Sequence, residues 1–262
     1  MKDILNEIVA NKRLEVTDHK RQVSYKELEK LVETCMLPIY SMKSALLDSP
    51  SGIIAEFKRR SPSKGWMSQY ADAERIATGY VAGGAAVLSV LTDEPYFGGT
   101  LHDLSAATRN VKIPVMRKEF IVDEYQILQA RLHGASAILL IAAALTKEES
   151  IRFTRFAQQL GLDVLLELHD ENEVEYVASE NDIVGINNRN LGTFVTDIEK
   201  SYQMIDQLPR EAILVSESGI SDPKTVRELR EAGYRGFLIG ENFMKTDEPG
   251  ISLQQFIEEV IA

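Results

Sequence analysis

From residue 53 onward, short apolar runs alternate with longer stretches whose apolar positions recur at helical spacing. The runs are Ile53 to Phe57, Ala86 to Leu91, Ile113 to Arg117, Ala137 to Ile141, Val164 to Glu167, Ile183 to Asn187, Ile213 to Ser216 and Gly236 to Ile239. These predict eight strands, set roughly 20 to 33 residues apart, about the size of one strand–helix unit. The stretches between them carry helix signals. Phe153, Phe156, Ala157 and Leu160 form an apolar stripe behind a Thr146 to Glu149 capping box, and Leu253, Phe256, Ile257, Val260 and Ile261 form another. Asp222 before Pro223 reads as an N-cap with proline in the first turn. Eight parallel strands with crossover helices in about 210 residues close most simply into a (β/α)8 barrel, the TIM-barrel architecture of the α/β class.

Residues 1–50 are extra and read as a helical extension packed on the barrel of residues 51–262, with no Gly/Ser/Pro-rich linker between. Leu28, Leu31, Val32 and Cys35 share a face after a Ser24 to Glu27 capping box, and Pro38 marks a stop. That placement makes Cys35 a core residue rather than a nucleophile.

Composition narrows the partners. The 262 residues are 44% hydrophobic and 26% charged, which excludes a disordered chain, and the net charge of −11 argues against nucleic acid and anionic membranes. A single cysteine needs no oxidising compartment. The N-terminal residues alternate charged and apolar without a signal-peptide core, and the longest nearly apolar run, Ala135 to Leu145, is too short to span a bilayer. A cytoplasmic protein is expected. The four histidines lack metal-ligand spacing, and the chain has neither Gly-x-Gly-x-x-Gly nor a P-loop, so neither a metal nor a nucleotide cofactor is expected.

Candidate chemistry sits where barrel enzymes hold it, at the C-terminal ends of the strands. Glu56 and Lys58 are two apart and share a face, Lys118 and Glu167 close the third and fifth strands, Asn187 closes the sixth, and Glu217 with Ser218 follows the seventh. Two glycine turns, Ser216-Glu217-Ser218-Gly219 and Ile239-Gly240-Glu241, follow the seventh and eighth strands, the usual phosphate site of such barrels. Lys58, Arg59, Arg60, Lys64, Arg117 and Lys118 gather near the same rim, with Arg59 among those turned outward by strand alternation. The total charge therefore excludes polyanions, while the rim suits a small anion. Trp66 just beyond reads equally as part of a lid or as surface packing.

The segment Glu56-Phe57-Lys58-Arg59-Arg60-Ser61-Pro62-Ser63-Lys64-Gly65 resembles the signature of the indole-3-glycerol-phosphate synthase family. Further matches run along the whole chain in the family's order, among them Tyr96-Phe97-Gly98-Gly99, Arg117-Lys118-Glu119-Phe120-Ile121-Val122, Glu167-Leu168-His169-Asp170-Glu171 and Gly185-Ile186-Asn187-Asn188-Arg189-Asn190-Leu191. The resemblance implies a cofactor-free carboxy-lyase of tryptophan biosynthesis. Its substrate, 1-(2-carboxyphenylamino)-1-deoxyribulose 5-phosphate, closes to indole-3-glycerol phosphate with loss of carbon dioxide and water.

The same resemblance implies the roles. Lys118 is the general acid of ring closure, alternating with Lys58 in the dehydration; Glu167 is the general base, and Glu56 orients and tunes the lysines. Arg117 is expected to lower the pKa of Lys118. Lys58 also meets the substrate carboxylate, Asn187 and Glu217 the sugar hydroxyls, and Arg189 the substrate. Phosphate is placed against Ser61, Ser218, Gly219, Gly240 and the main chain of Glu241, whose side chain is expected to point away. Phe97, Phe120, Leu139 and Leu191 are the implied slot for the aromatic ring, with barrel-top packing as the other reading. A monomer is expected, a weak homodimer being the alternative. The competing functions are another phosphate-binding barrel enzyme, either phosphoribosylanthranilate isomerase or a Schiff-base aldolase using Lys118, and a non-catalytic phospholigand-binding barrel.

Overall fold

The computed structural model describes residues 4–190 and 192–262. Eight parallel strands close into a barrel in chain order: β1 (Ile53–Phe57), β2 (Val87–Leu91), β3 (Val115–Lys118), β4 (Ala137–Ile141), β5 (Asp163–Leu168), β6 (Ile183–Asn187), β7 (Ile213–Glu217) and β8 (Gly236–Ile239). The seam is β1, which pairs with β2 through Ile54 and Val87 and with β8 through Ile53 and Phe237. β3 starts two residues later than its apolar run, past Pro114, which has no N–H for a ladder.

Strand alternation sorts the side chains. Ile53, Ala55 and Phe57 face the surrounding helices, while Ile54, Met116, Leu139, Leu165, Val215 and Leu238 fill the barrel interior. At the upper ends of β1, β3, β5, β6 and β7 the inward parity falls on a polar residue. The core therefore stops below Glu56, Lys118, Glu167, Asn187 and Glu217, all of which line one cavity.

The extension reaches both ends of the barrel. α1 (Ile4–Gln22) crosses the mouth, where Leu5 and Ile8 join Phe120, Leu139 and Ile141. α2 (Tyr25–Glu33) lies on helix Glu124–Leu132 through Leu28, Val32, Tyr125 and Leu128. α3 (Met42–Asp48) plugs the bottom with Met42 and Leu46, and its start is tied to the first residue of β5 by the Lys43 N–H donating to Asp163 at 3.1 Å.

The capping boxes at Ser24 and Thr146 and the Asp222 cap before Pro223 are all present. In the predicted stripes Phe153, Ala157, Leu253, Phe256, Ile257 and Val260 are buried, whereas Leu31 and Ile261 are exposed. Cys35 departs from its expected helical core position. α2 ends at Glu33, so Cys35 lies beyond it, half-buried, with Sγ 3.4 Å from the Arg131 guanidinium. Among the described residues no helix is long and apolar enough to cross a membrane.

Candidate functional site

The mouth encloses a cavity of about 500 Å³. Its floor is a chain of charges. Lys118 Nζ donates to Glu167 Oε2 at 2.9 Å and also to Glu217, while Lys58 Nζ donates to Glu56 Oε1 at 2.6 Å. Two missing Cβ atoms make room for these carboxylates. A Cβ on Gly185 would overlap Glu217 Oε1, and one on Gly240 would lie 2.9 Å from the Glu56 Cβ.

The charge states follow from this crowding. Burial pulls the Lys118 ammonium toward lower pKa, but Glu167, Glu217 and Glu56 outweigh it and hold it above the ordinary lysine value. Burial favours the neutral form of Glu167, yet Lys118 and then His169 keep its pKa well below the usual carboxylate range. Glu217 is pushed up to about 8 by burial, only partly offset by Lys118 and reinforced by the Glu167 charge. The trio thus retains a proton in neutral solution that isolated groups would not.

This overturns the expected lowering of the Lys118 pKa by Arg117. Consecutive strand residues face opposite sides. Arg117 points outward, donating to Gln126 O at 2.7 Å and Thr92 Oγ1 at 3.0 Å and pairing with Glu119 at 3.2 Å. Strand alternation turns Arg59 outward as expected, and Arg60 also leaves the expected basic rim. Arg59 turns outward to Asp103, 2.7 Å from each oxygen, and Arg60 donates to Pro95 O and stacks over Trp66. Lys58, Lys64 and Lys118 do line the cavity, joined by Arg189 and Lys245.

Opposite the floor lies a polar rim. Ser218 and Gly219 adopt successive left-handed conformations, φ 68° and 80°, and Gly240 begins the single helical turn Glu241–Met244. Ser61 is buried in a small hairpin formed by Arg60–Ser61 and Gly65–Trp66, where its Oγ accepts from the Lys64 N–H at 3.2 Å. The Glu241 side chain does not simply point away. Its carboxylate spans Lys64 and Arg189 at 3.6 and 3.7 Å, drawn by the two cations. Asn187 Oδ1 accepts from the Arg189 N–H at 3.0 Å.

The other wall is apolar. Phe97 and Phe120 stand 5.9 Å apart between ring centroids, beside Leu91, Leu139 and Ile141 and under Ile4, Leu5 and Ile8 of α1. Leu191, the fourth residue expected there, lies outside the described residues. Trp66 is on the outer side of its hairpin, half-exposed, its ring against Gly98 rather than the cavity. Two contributors escaped the sequence reading. The α1 residues carried no signal linking them to the mouth. His169, whose Nε2 is 3.1 Å from Glu167 Oε1, did: it stands two residues after Glu167, the spacing that shares a strand face.

Comparison with known proteins places the chain in a family. Residues 5–258 match the family model described as "Indole-3-glycerol phosphate synthase". The chain is 55% identical over 260 residues to the indole-3-glycerol phosphate synthase of Bacteroides thetaiotaomicron, covering 99% of this chain and all of that protein. It is 39% identical over 263 residues to that of Polaromonas naphthalenivorans, covering 99% of this chain and all of that one. Among solved structures it is similar in fold to the tryptophan synthase subunit alpha of Legionella pneumophila, with a TM-score of 0.62 and 14% identity over 85% of this chain and 99% of that one. The chain belongs to the indole-3-glycerol phosphate synthase family, carboxy-lyases of tryptophan biosynthesis.

Proposed function

We propose that Lys118 supplies the proton for ring closure of 1-(2-carboxyphenylamino)-1-deoxyribulose 5-phosphate. The observation carrying this is the position of its ammonium, between Glu167 and Glu217 on the floor shared by the apolar wall and the polar rim. The aromatic ring lies between Phe97 and Phe120, the carboxylate meets Lys58, and the phosphate accepts from Ser61 and from main-chain N–H groups around Ser218, Gly219, Gly240 and Glu241. Asn187 and Glu217 hold the sugar hydroxyls. Arg189 reaches across the rim toward the same ligand.

In closure, the ring carbon that bears the carboxylate attacks the ribulose ketone. The carbonyl π pair moves onto oxygen, which takes the proton from Lys118. A raised lysine pKa does not prevent this, because an alkoxide is far more basic than an amine and the transfer remains downhill. The carboxylate then leaves as carbon dioxide, and its bonding pair restores the aromatic ring. In the dehydration Lys58 protonates the departing hydroxyl, Glu167 takes the proton from the adjacent carbon, and the pyrrole double bond forms. Glu56 orients Lys58 throughout.

A lysine held protonated is a poor Schiff-base nucleophile, which speaks against the aldolase reading. A cytoplasmic setting suits the chain's lone cysteine. Mixing the protein with the carboxyphenylamino-ribulose phosphate should produce indole fluorescence. Binding without fluorescence at high protein concentration would instead make this a phospholigand-binding barrel.

A further inference from the structure

Lys12 is a long side chain on α1 with no exposed surface, and the reaction makes no direct use of it. Its ammonium lies 2.9 Å from Glu15, 3.0 Å from Asp93 and 3.2 Å from Glu119. Burial works against the charge, but Glu119, Asp93 and Glu15 outweigh it, so Lys12 remains a cation.

Each of the two distant carboxylates also orders one aromatic residue of the cavity. Asp93 Oδ1 accepts from the Tyr96 N–H at 2.8 Å, capping the turn Glu94–Phe97 that ends in Phe97. Glu119 Oε1 accepts from the Phe120 N–H at 2.8 Å, while its other oxygen accepts from Thr92 and pairs with Arg117. One ammonium thus joins α1 to the loop after β2 and the loop after β3, one turn along the helix from Ile8 on the cavity wall. Stability alone does not account for this arrangement. A buried ion pair offers little over well-packed apolar residues, and its best-attested use is to fix a register.

We infer that Lys12 is a positioning residue for the aromatic slot, setting the separation of Phe97 and Phe120 and the height of α1 above them. The inference rests on the reading that this slot receives the anthranilate ring of the substrate. The N-terminal extension is then part of the recognition of one end of the substrate and leaves the phosphate end untouched.

The test uses the full chain carrying Lys12→Met, with turnover followed by indole fluorescence and with anthranilate and inorganic phosphate as competitive inhibitors that probe the two ends separately. KM and the anthranilate inhibition constant should rise about tenfold, kcat should stay within about threefold, and the phosphate constant should not move. A smaller active fraction with both inhibition constants unchanged would reduce Lys12 to a structural prop and overturn the inference. Should that variant fail to fold, Lys12→Met combined with Asp93→Asn leaves Glu119 paired with Arg117 and is judged by the same constants. Hydrogen exchange of the unmodified protein decides independently. Anthranilate should slow amide exchange in residues 8–16 together with 94–97 and 119–122, and protection confined to the two loops overturns the inference. Failure of the underlying functional reading looks different, since the unmodified protein would then form no indole.

Discussion

Two lysines in this molecule are each gripped by acids from separate elements: Lys12 by Asp93 and Glu119, and Lys118 by Glu167 and Glu217. Both stay charged for the same reason, yet the Lys12 side chain has no exposed surface whereas that of Lys118 keeps 13%. Lys118 and Glu119 are chain neighbours, so a single step along the backbone separates a group that can meet a ligand from one committed to architecture. Access, more than ionisation, divides a group open to a ligand from one enclosed in the scaffold here.

The comparison breaks most sharply if Lys118 proves dispensable. Lys118→Ala and Glu167→Gln should each lower turnover by roughly 10²-fold or more, the scale of acid–base catalysis, and near-normal rates in both would refute the roles assigned. Lys12→Met should show the opposite balance in urea unfolding. It removes the partner of buried acids, a change costing about 3–5 kcal/mol, whereas a loss under about 1 kcal/mol would mean the grip is slack. Lys58→Ala should raise KM about tenfold as well as slow turnover, and an unchanged KM would rule out its contact with the substrate carboxylate.

The smallest effect is on pH dependence. Because burial pushes Glu217 up to about 8 in the folded chain, well above the usual carboxylate range, the folded state holds the extra proton. Its contribution to stability is complete below about pH 4.5 and is lost as the pH rises through 8. Glu167 works in the other direction, its contribution being lost as the pH falls below the usual carboxylate range. Thermal unfolding between pH 6 and 9 should therefore fall more steeply for the unmodified protein than for Glu217→Gln. Equal slopes would contradict the proton assignment.

Much of this was legible in the chain. The eight strands appear within two residues of their apolar runs because a strand buried on both faces leaves an uninterrupted apolar signature, and the cap residues were readable because capping is local. The inward polar residues at strand ends followed from parity. Parity equally turns Arg117, the neighbour of Lys118, away from the site, although its nearness in sequence suggests a cation beside the lysine. What remained hidden was set by distant packing. Nothing near Lys12 in the chain announces Asp93 or Glu119, and the pKa of Lys118 depends on acids 49 and 99 residues away.

The seam of the barrel bears on how the enzyme is made. Glu56 and Lys58 leave the first strand, while the glycine that accommodates Glu56 follows the eighth, nearly two hundred residues later in order of synthesis. A nascent chain that has yet to add residue 236 lacks both the strand that closes the barrel and the turn at Gly240. A chain interrupted before residue 236 would therefore be left with an open cavity, missing the lining that Leu238, Gly240 and Glu241 contribute.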